Sequence, residues 1–112
     1  MADEIVTTNP PTMAPPGGHY SHAVAANGFV FVSGELPIAP DGTKLNDAPF
    51  ERQAQQALDN VAHALKGAGS SIDKLTQVRV YVTDIGDWPA FNALYAKWAG
   101  AARPARCVVP VP

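Results

Sequence analysis

Apolar and polar residues follow two different periods along this chain. Between Thr76 and Thr83 they alternate, which is typical of a half-buried β-strand. Between Phe50 and Ala68 apolar residues recur every three or four positions, which predicts one buried face of a helix. A second helix is predicted between Asp87 and Gly100. Its apolar stripe is Phe91, Leu94, Tyr95 and Trp98.

The first third of the chain has the pattern of short strands joined by turns. Residues 19–26 and 29–33 flank Asn27-Gly28, the dipeptide most typical of a two-residue hairpin. Because residues 29–32 are apolar on both faces, we expect that strand to be central and covered on both sides. A short strand at residues 5–8 and a last strand after Arg106 complete the order β, ββ, α, β, α, β.

This order predicts an α+β fold. Two helices can cover only one face of a mostly antiparallel sheet, which makes a two-layer sandwich. We expect Asp47 and Asp87 to cap the two helices, with Pro49 in the first turn of the first helix. Gly67 or Gly69 should end that helix.

The uncovered face of the predicted sheet has a composition suited to an oligomer surface. On the strand at residues 76–83 the valines face the helices, which leaves Gln77, Arg79 and Tyr81 on the other side. These side chains are long and form hydrogen bonds, so we expect a second copy of the chain to cover them.

Composition limits the classes of function. The chain has 112 residues, of which 46% are hydrophobic and 16% charged, and this suits one globular domain. The net charge of −2, without a run of basic residues, argues against nucleic-acid binding. Residues 29–32 form the densest apolar run, which is too short to cross a membrane. Residues 1–5 are acidic and lack the apolar segment of a signal peptide, so the cytoplasm is the expected location.

Five sequence blocks, in order, resemble the Rid family of reactive intermediate deaminases. They are Gly18–Ala23, Val32–Pro37, Asn60–Ala68, Asn92–Tyr95 and Arg103–Arg106. The resemblance implies a chorismate-mutase-like fold and a homotrimer with clefts between subunits. It also implies hydrolysis of 2-imino and 2-enamino acids to 2-keto acids and ammonia, as by a 2-iminobutanoate/2-iminopropanoate deaminase, with no metal and no organic cofactor.

The resemblance also assigns site residues. Arg106 corresponds to the arginine of the family that binds the substrate carboxylate, and a planar guanidinium suits that role because it donates two parallel hydrogen bonds. Tyr20 corresponds to a tyrosine that contacts the ligand. The backbone at Gly34 and Val108 is expected to contact the ligand as well, and Asn92 to lie at the border of the cleft.

Other polar residues carry weaker hypotheses. Glu35 is a possible acid or base beside the cleft, although an exposed loop carboxylate is the simpler interpretation. Cys107 is more readily a small buried residue than a nucleophile, and a single cysteine excludes an intramolecular disulfide. His19 and His22 lie three residues apart without an obvious third ligand, so no metal site is predicted.

The chain departs from the family pattern in a few places. His19, His22 and Glu35 replace residues common in the family, and the family's usual last strand, with its glutamate, does not follow Pro112. We therefore expect residues 1–112 to form a single Rid-like domain that lacks about 15–20 C-terminal residues, roughly one turn and one strand. If the protein ends at Pro112, Glu35 or bulk water would replace that glutamate.

Two other functions are considered. A non-catalytic trimer could bind keto acids or other small carboxylates in the same clefts. Ribonuclease activity is less consistent with the net charge. The preferred imino acid and the pathway that supplies it do not follow from the sequence.

Overall fold

The computed structural model describes residues 4–112, and its elements follow the predicted order. Residues 1–3, the start of the acidic stretch considered above, lie outside this range. The strands are β1 (Val6–Thr8), β2 (Ala23–Ala26), β3 (Phe29–Val32), β4 (Gln77–Val82) and β5 (Ala105–Pro110), and the helices are α1 (Phe50–Gly67) and α2 (Trp88–Ala99).

Within the described residues the strands form two sheets. In the first, β2 pairs antiparallel with both β1 and β3, in the order β1-β2-β3. The predicted hairpin between β2 and β3 is confirmed: Asn27 and Gly28 have φ angles of 52° and 83°, as a type I′ turn requires. In the second sheet β5 runs parallel to β4, from Gln77 opposite Ala105 to Val82 opposite Pro110.

Both helices pack on the same face of these sheets, as predicted. One core cluster joins α1 and α2 to β4, and a second joins α1 to the β2–β3 hairpin. The first cluster consists of Ala54, Leu58, Val80, Val82, Phe91, Tyr95 and Ala99. The second consists of Met13, Ala23 and Ala64. The helix α1 contributes to both clusters and therefore connects the two sheets.

The expectation that β3 is central and covered on both sides is wrong for the isolated chain. β3 lies at the edge of its sheet, and Phe29 and Phe31 are 57% and 60% exposed. Only Val30 and Val32 pack toward the core. The reason is that both helices lie on one face, so alternate residues of β3 face away from them.

The ends of the helices differ in part from the prediction. Pro49 precedes the first residue of α1, and no side chain caps that end, so Asp47 is not the cap. At the other end Ser70 N–H donates to Leu65 O and Gly69 N–H to Lys66 O, with Gly69 at a φ of 87°. This is a Schellman motif, and it confirms Gly69 as the terminating glycine.

The second helix follows a short turn. Asp87 precedes α2 but makes no capping hydrogen bond through its side chain, whereas Asp84 accepts one from Gly86 N–H in the turn at Ile85–Asp87. Neither helix in residues 4–112 has the length and apolar character needed to cross a membrane.

Candidate functional site

A buried pair of titratable side chains lies at the open end of the β2–β3 hairpin. His22 precedes β2 and Glu35 follows β3, and the antiparallel register brings these two positions together. His22 Nδ1 lies 3.1 Å from Glu35 Oε2, and the two side chains are only 8% and 5% exposed. The expectation of an exposed loop carboxylate at Glu35 is therefore wrong.

The surroundings of His22 fix the orientation of its ring. Its Nε2 lies 2.8 Å from the carbonyl oxygen of Ala14, and its backbone N–H donates to Asn9 Oδ1 at 2.9 Å. The N-terminal segment thus holds the imidazole in place. Both ring nitrogens have a protein partner, and the described residues contain no cluster of three or more His, Cys, Asp or Glu side chains that could bind a metal.

The surroundings of Glu35 change the pKa of its carboxyl group. Burial raises the pKa of the Glu35 carboxyl above its usual value of 4.5, and the hydrogen bond and positive charge of His22 offset part of that rise. A raised pKa moves a carboxyl toward the range in which it can serve both as proton acceptor and as proton donor.

A small cavity borders this pair. Its volume is about 30 Å³, which accommodates about two water molecules at roughly 10–15 Å³ each. Tyr20 and Gly34, both predicted to contact the ligand, line it together with His22 and Glu35. Tyr20 is 49% exposed, and its ring meets the His22 ring edge to face at a centroid distance of 6.1 Å.

Asn60 of α1 supports the loop that carries Glu35. Its side-chain amide donates to Leu36 O at 2.9 Å and to Ile38 O at 3.0 Å, while its oxygen accepts from Gln56. Asn60 is 3% exposed and also lines the cavity. No role was predicted for Asn60 from the sequence. The available signal was a pair of amides, Gln56 and Asn60, four residues apart beside the apolar stripe of α1.

Arg106 lies at a second, larger cavity. This cavity has a volume of about 490 Å³, and Asn92, Tyr95, Arg103 and Arg106 contribute to its lining. The Arg106 guanidinium carbon lies 4.7 Å from the ring centroid of Trp88 and 4.9 Å from that of Tyr95. Its Nη1 donates to Asn92 Oδ1 at 3.0 Å. The guanidinium is thus oriented by two aromatic rings and one amide.

Asn92 and Arg103 both have a positioning role here. Asn92, predicted to border the cleft, accepts a hydrogen bond from Arg106. Arg103 donates through Nη1 to the carbonyl oxygens of Gly100 and Ala102, and so fixes the turn between α2 and β5.

The single chain does not bring the predicted site residues into one cavity. Tyr20, Gly34 and Glu35 line the small cavity, whereas Asn92 and Arg106 line the large one, and the two cavities share no lining residue. The side chain of Val108 packs beside the first core cluster. The predicted site residues with side chains at a cavity therefore fall into two separate groups.

Cys107 lies outside both cavities. The expectation that it is buried is wrong for the isolated chain, because Cys107 is exposed. Strand alternation places it on the face opposite Arg106, beside the exposed Arg79 of β4.

Comparison with known proteins identifies close relatives. A family model described as Endoribonuclease L-PSP matches residues 11–112. RutC family protein PH0854 of Pyrococcus horikoshii is 35% identical over 111 residues, which are 99% of this chain and 86% of that protein. Reactive Intermediate Deaminase A, chloroplastic, of Arabidopsis thaliana is 34% identical over 94 residues, which are 84% of this chain and 50% of that protein.

The fold has equally close counterparts among solved structures. The crystal structure of yeast Mmf1 has a TM-score of 0.91 against this chain at 32% sequence identity. The similarity covers 96% of this chain and 86% of Mmf1. The relation therefore extends over the whole architecture and is not confined to the sequence blocks around the site.

Proposed function

This chain belongs to the endoribonuclease L-PSP family, which includes the Rid proteins, and from that premise we propose that it hydrolyses 2-imino and 2-enamino acids to 2-keto acids and ammonia. The Arabidopsis relative, named a reactive intermediate deaminase, supports this assignment. The reaction needs only water and proton transfer, so the proposal requires neither a metal nor an organic cofactor.

The orientation of Arg106 is the observation that carries the proposal. Asn92 and the rings of Trp88 and Tyr95 hold the guanidinium, yet only Nη1 has an acceptor among residues 4–112. The other N–H groups are free to donate to a carboxylate in a bidentate arrangement. A 2-imino acid carries such a carboxylate next to its reactive carbon, so binding at Arg106 would fix the position of that carbon.

We propose that the two halves of the site meet between subunits of a homotrimer. Arg106 and Asn92 of one copy would face Tyr20 and Gly34 of the next, with the backbone of Val108 at the seam. Two observations support this arrangement: the separation of the two cavities in one chain, and the uncovered sheet face. The cytoplasm remains our expected location, although the Arabidopsis relative is named chloroplastic.

The modest difficulty of the reaction is consistent with this simple site. Imines hydrolyse in water without a catalyst, so a modest barrier reduction is sufficient; about 3–6 kcal/mol would accelerate the reaction by roughly two to four orders of magnitude. Orientation by Arg106 together with one proton-transfer group can supply that amount.

The name of the matching family model raises ribonuclease activity as a second function. The charge of the chain does not favour it, because 10 acidic residues outnumber 8 lysines and arginines. RNA binding depends on clustered cations that neutralise phosphates. Binding of small carboxylates without turnover is the closer alternative, since it would use the same Arg106.

The test is hydrolysis of freshly generated 2-iminopropanoate, followed by the release of pyruvate and ammonia. Arg106→Ala should reduce kcat/KM by roughly 10- to 150-fold, since a charge-assisted hydrogen bond contributes about 1.5–3 kcal/mol. Arg106→Lys should restore little, because a point charge loses the planar fork. Lys97→Ala, a change of an exposed cation on α2, is the matched control and should leave the rate unchanged.

Gly34→Ala tests the other half of the site. An added Cβ at Gly34 meets no atom within 4 Å, so the fold should be unaffected. A ligand that approaches this backbone closely would be displaced, and turnover should fall.

If the wild-type protein binds pyruvate but does not accelerate imine hydrolysis, it is a carboxylate-binding protein and the proposed reaction is wrong.

A further inference from the structure

We propose that Glu35 is the acid–base residue of this site, that the cavity beside it holds the attacking water, and that His22 is the residue that positions Glu35 and controls its protonation. The inference rests on the proposed hydrolysis and deepens it. It names a proton-transfer group that lies within residues 4–112 and places it next to Tyr20 and Gly34.

The hydrogen bonds of His22 restrict the proton states of the pair. A carbonyl oxygen only accepts hydrogen bonds, so Nε2 must donate to Ala14 O. The contact between Nδ1 and Glu35 Oε2 then contains one proton, which belongs either to an imidazolium or to a protonated carboxyl. The pair is neutral overall in both states. A buried acid and base can therefore coexist without an uncompensated charge.

The second carboxyl oxygen is available for chemistry. Glu35 Oε2 contacts His22, whereas Oε1 has no hydrogen-bond partner among residues 4–112. The carboxyl contributes to the lining of a cavity sized for about two waters. A water there has a proton acceptor in Glu35, and Tyr20, which also lines the cavity, is half exposed to solvent.

Few other titratable groups face this carboxyl. The loop of residues 13–17 contributes apolar side chains and glycine to the cavity lining, and α1 contributes the uncharged Asn60. Among the lining residues the titratable side chains are Tyr20, His22 and Glu35. The ionisation of Glu35 is therefore governed chiefly by its burial and by His22.

The chemical steps balance with Glu35 as the only proton carrier. The water oxygen bonds to the carbon of the protonated imine while the C=N π electrons move to nitrogen, and the Glu35 carboxylate takes one water proton. Protonated Glu35 then gives this proton to the amino nitrogen. The C–N bond breaks with its electron pair on nitrogen, the C=O bond forms, and the departing ammonia takes the hydroxyl proton and leaves as ammonium.

Glu35→Gln is the first test, because the amide preserves shape and can still contact His22 but cannot carry the proton. We expect kcat/KM to fall by roughly 100- to 10,000-fold, while the affinity for pyruvate, measured by calorimetry, stays within about twofold. Glu51→Gln, a change of an exposed glutamate in the first turn of α1, is the matched control and should have no effect.

His22→Gln tests the positioning role through the pH profile. His22 lowers the pKa of Glu35, so its removal should move the acidic limb of the kcat/KM profile to higher pH. If His22 had only a structural role, its substitution would lower the rate without moving the midpoint of the acidic limb. Because His22 is buried, circular dichroism must first show that the variant is folded.

A measurement that needs no turnover separates this inference from the proposed function. The ¹³C NMR signal of the Glu35 carboxyl should titrate with a midpoint above 4.5 in the wild-type protein and higher still in His22→Gln. If Arg106→Ala lowers kcat/KM as expected but Glu35→Gln retains near-normal kcat/KM, or if Glu35 titrates at or below 4.5, this inference is wrong and the proposed function stands. If the wild-type protein does not hydrolyse imines, both are wrong.

Discussion

Single residues acquire their properties here from distant parts of the chain. His22 and Glu35 are 13 positions apart, yet the hairpin register makes them partners and the surrounding segments bury both side chains. Arg106 shows the same effect, because α2 supplies both aromatic rings and the amide that orient it. Each polar group is held in a restricted geometry before any ligand arrives.

The burial of Glu35 has a measurable consequence for stability. Its folded-state pKa is raised above 4.5, so its contribution to stability is fully present below pH 4.5 and is lost as pH rises through the folded-state pKa. The glutamine side chain in the Glu35→Gln variant has no group that titrates in this range. We therefore expect the free energy of unfolding of the wild type, relative to this variant, to decrease as the pH rises above 4.5.

Urea unfolding at several pH values measures this difference. The control is Glu51→Gln, which changes an exposed glutamate. The stability of this variant relative to the wild type should change much less with pH. A difference between wild type and Glu35→Gln that stays constant, or grows in favour of the wild type as pH rises, would contradict the raised pKa.

At the scale of elements, local signals placed the helices and turns, but contacts with other elements set their details. Asn27-Gly28 formed the predicted hairpin because its backbone preference is intrinsic to those two residues. Asp47 did not cap α1, because Pro49 occupies the position before the helix. Gly67 is the last residue of α1. The absence of a side chain there leaves room for the ring of Pro10.

Gly67→Ala should destabilise the protein, although alanine is the better helix former. A Cβ at Gly67 would overlap Pro10 Cγ and lie 3.1 Å from Pro10 Cβ and 3.3 Å from Thr8 Cγ2. We expect a loss of about 1–3 kcal/mol from this overpacking, against a gain of about 1 kcal/mol from helix propensity.

The change in stability at Gly67 can be measured by urea unfolding. Gly17→Ala is a suitable comparison because an added Cβ there meets no atom within 4 Å. An increase in stability for Gly67→Ala would show that β1 and the following loop do not pack against the end of α1 in solution.

At the scale of the whole molecule, one face of the sheets is left uncovered by residues 4–112. Phe29, Phe31 and Tyr81 are 57%, 60% and 61% exposed, and they alternate with residues that pack under the helices. Single exposed apolar residues are common on protein surfaces, but large aromatic residues along β3 and β4 are typical of an interface. This arrangement supports the proposed homotrimer.

Phe31→Asp should dissociate the assembly. A charge at this position would have to be buried without a partner in any interface that covers β3. Light scattering of the wild type should give about 35 kDa, three times the chain mass of 11.8 kDa, and the variant should give the monomer mass.

The control for this experiment is Ile85→Asp. Ile85 is 54% exposed in the turn before α2, and its substitution should leave the trimer mass unchanged. A monomeric wild type at micromolar concentration would exclude the trimer. It would also leave the two halves of the site separated, so that Arg106 and Tyr20 could not act on one substrate.

The sequence by itself determined the order of elements, the hairpin and the exposure of Tyr81, and it limited the glycine that ends α1 to Gly67 or Gly69, because each depends on neighbours within a few positions. The ordered blocks from Gly18 to Arg106 also identified the family. Only the tertiary structure decided that Glu35 is buried with His22, that Asn92 bonds to Arg106, and that the site residues lie in two cavities. Burial and pairing of polar groups depend on which distant segments pack together, and local periodicity carries no information about that.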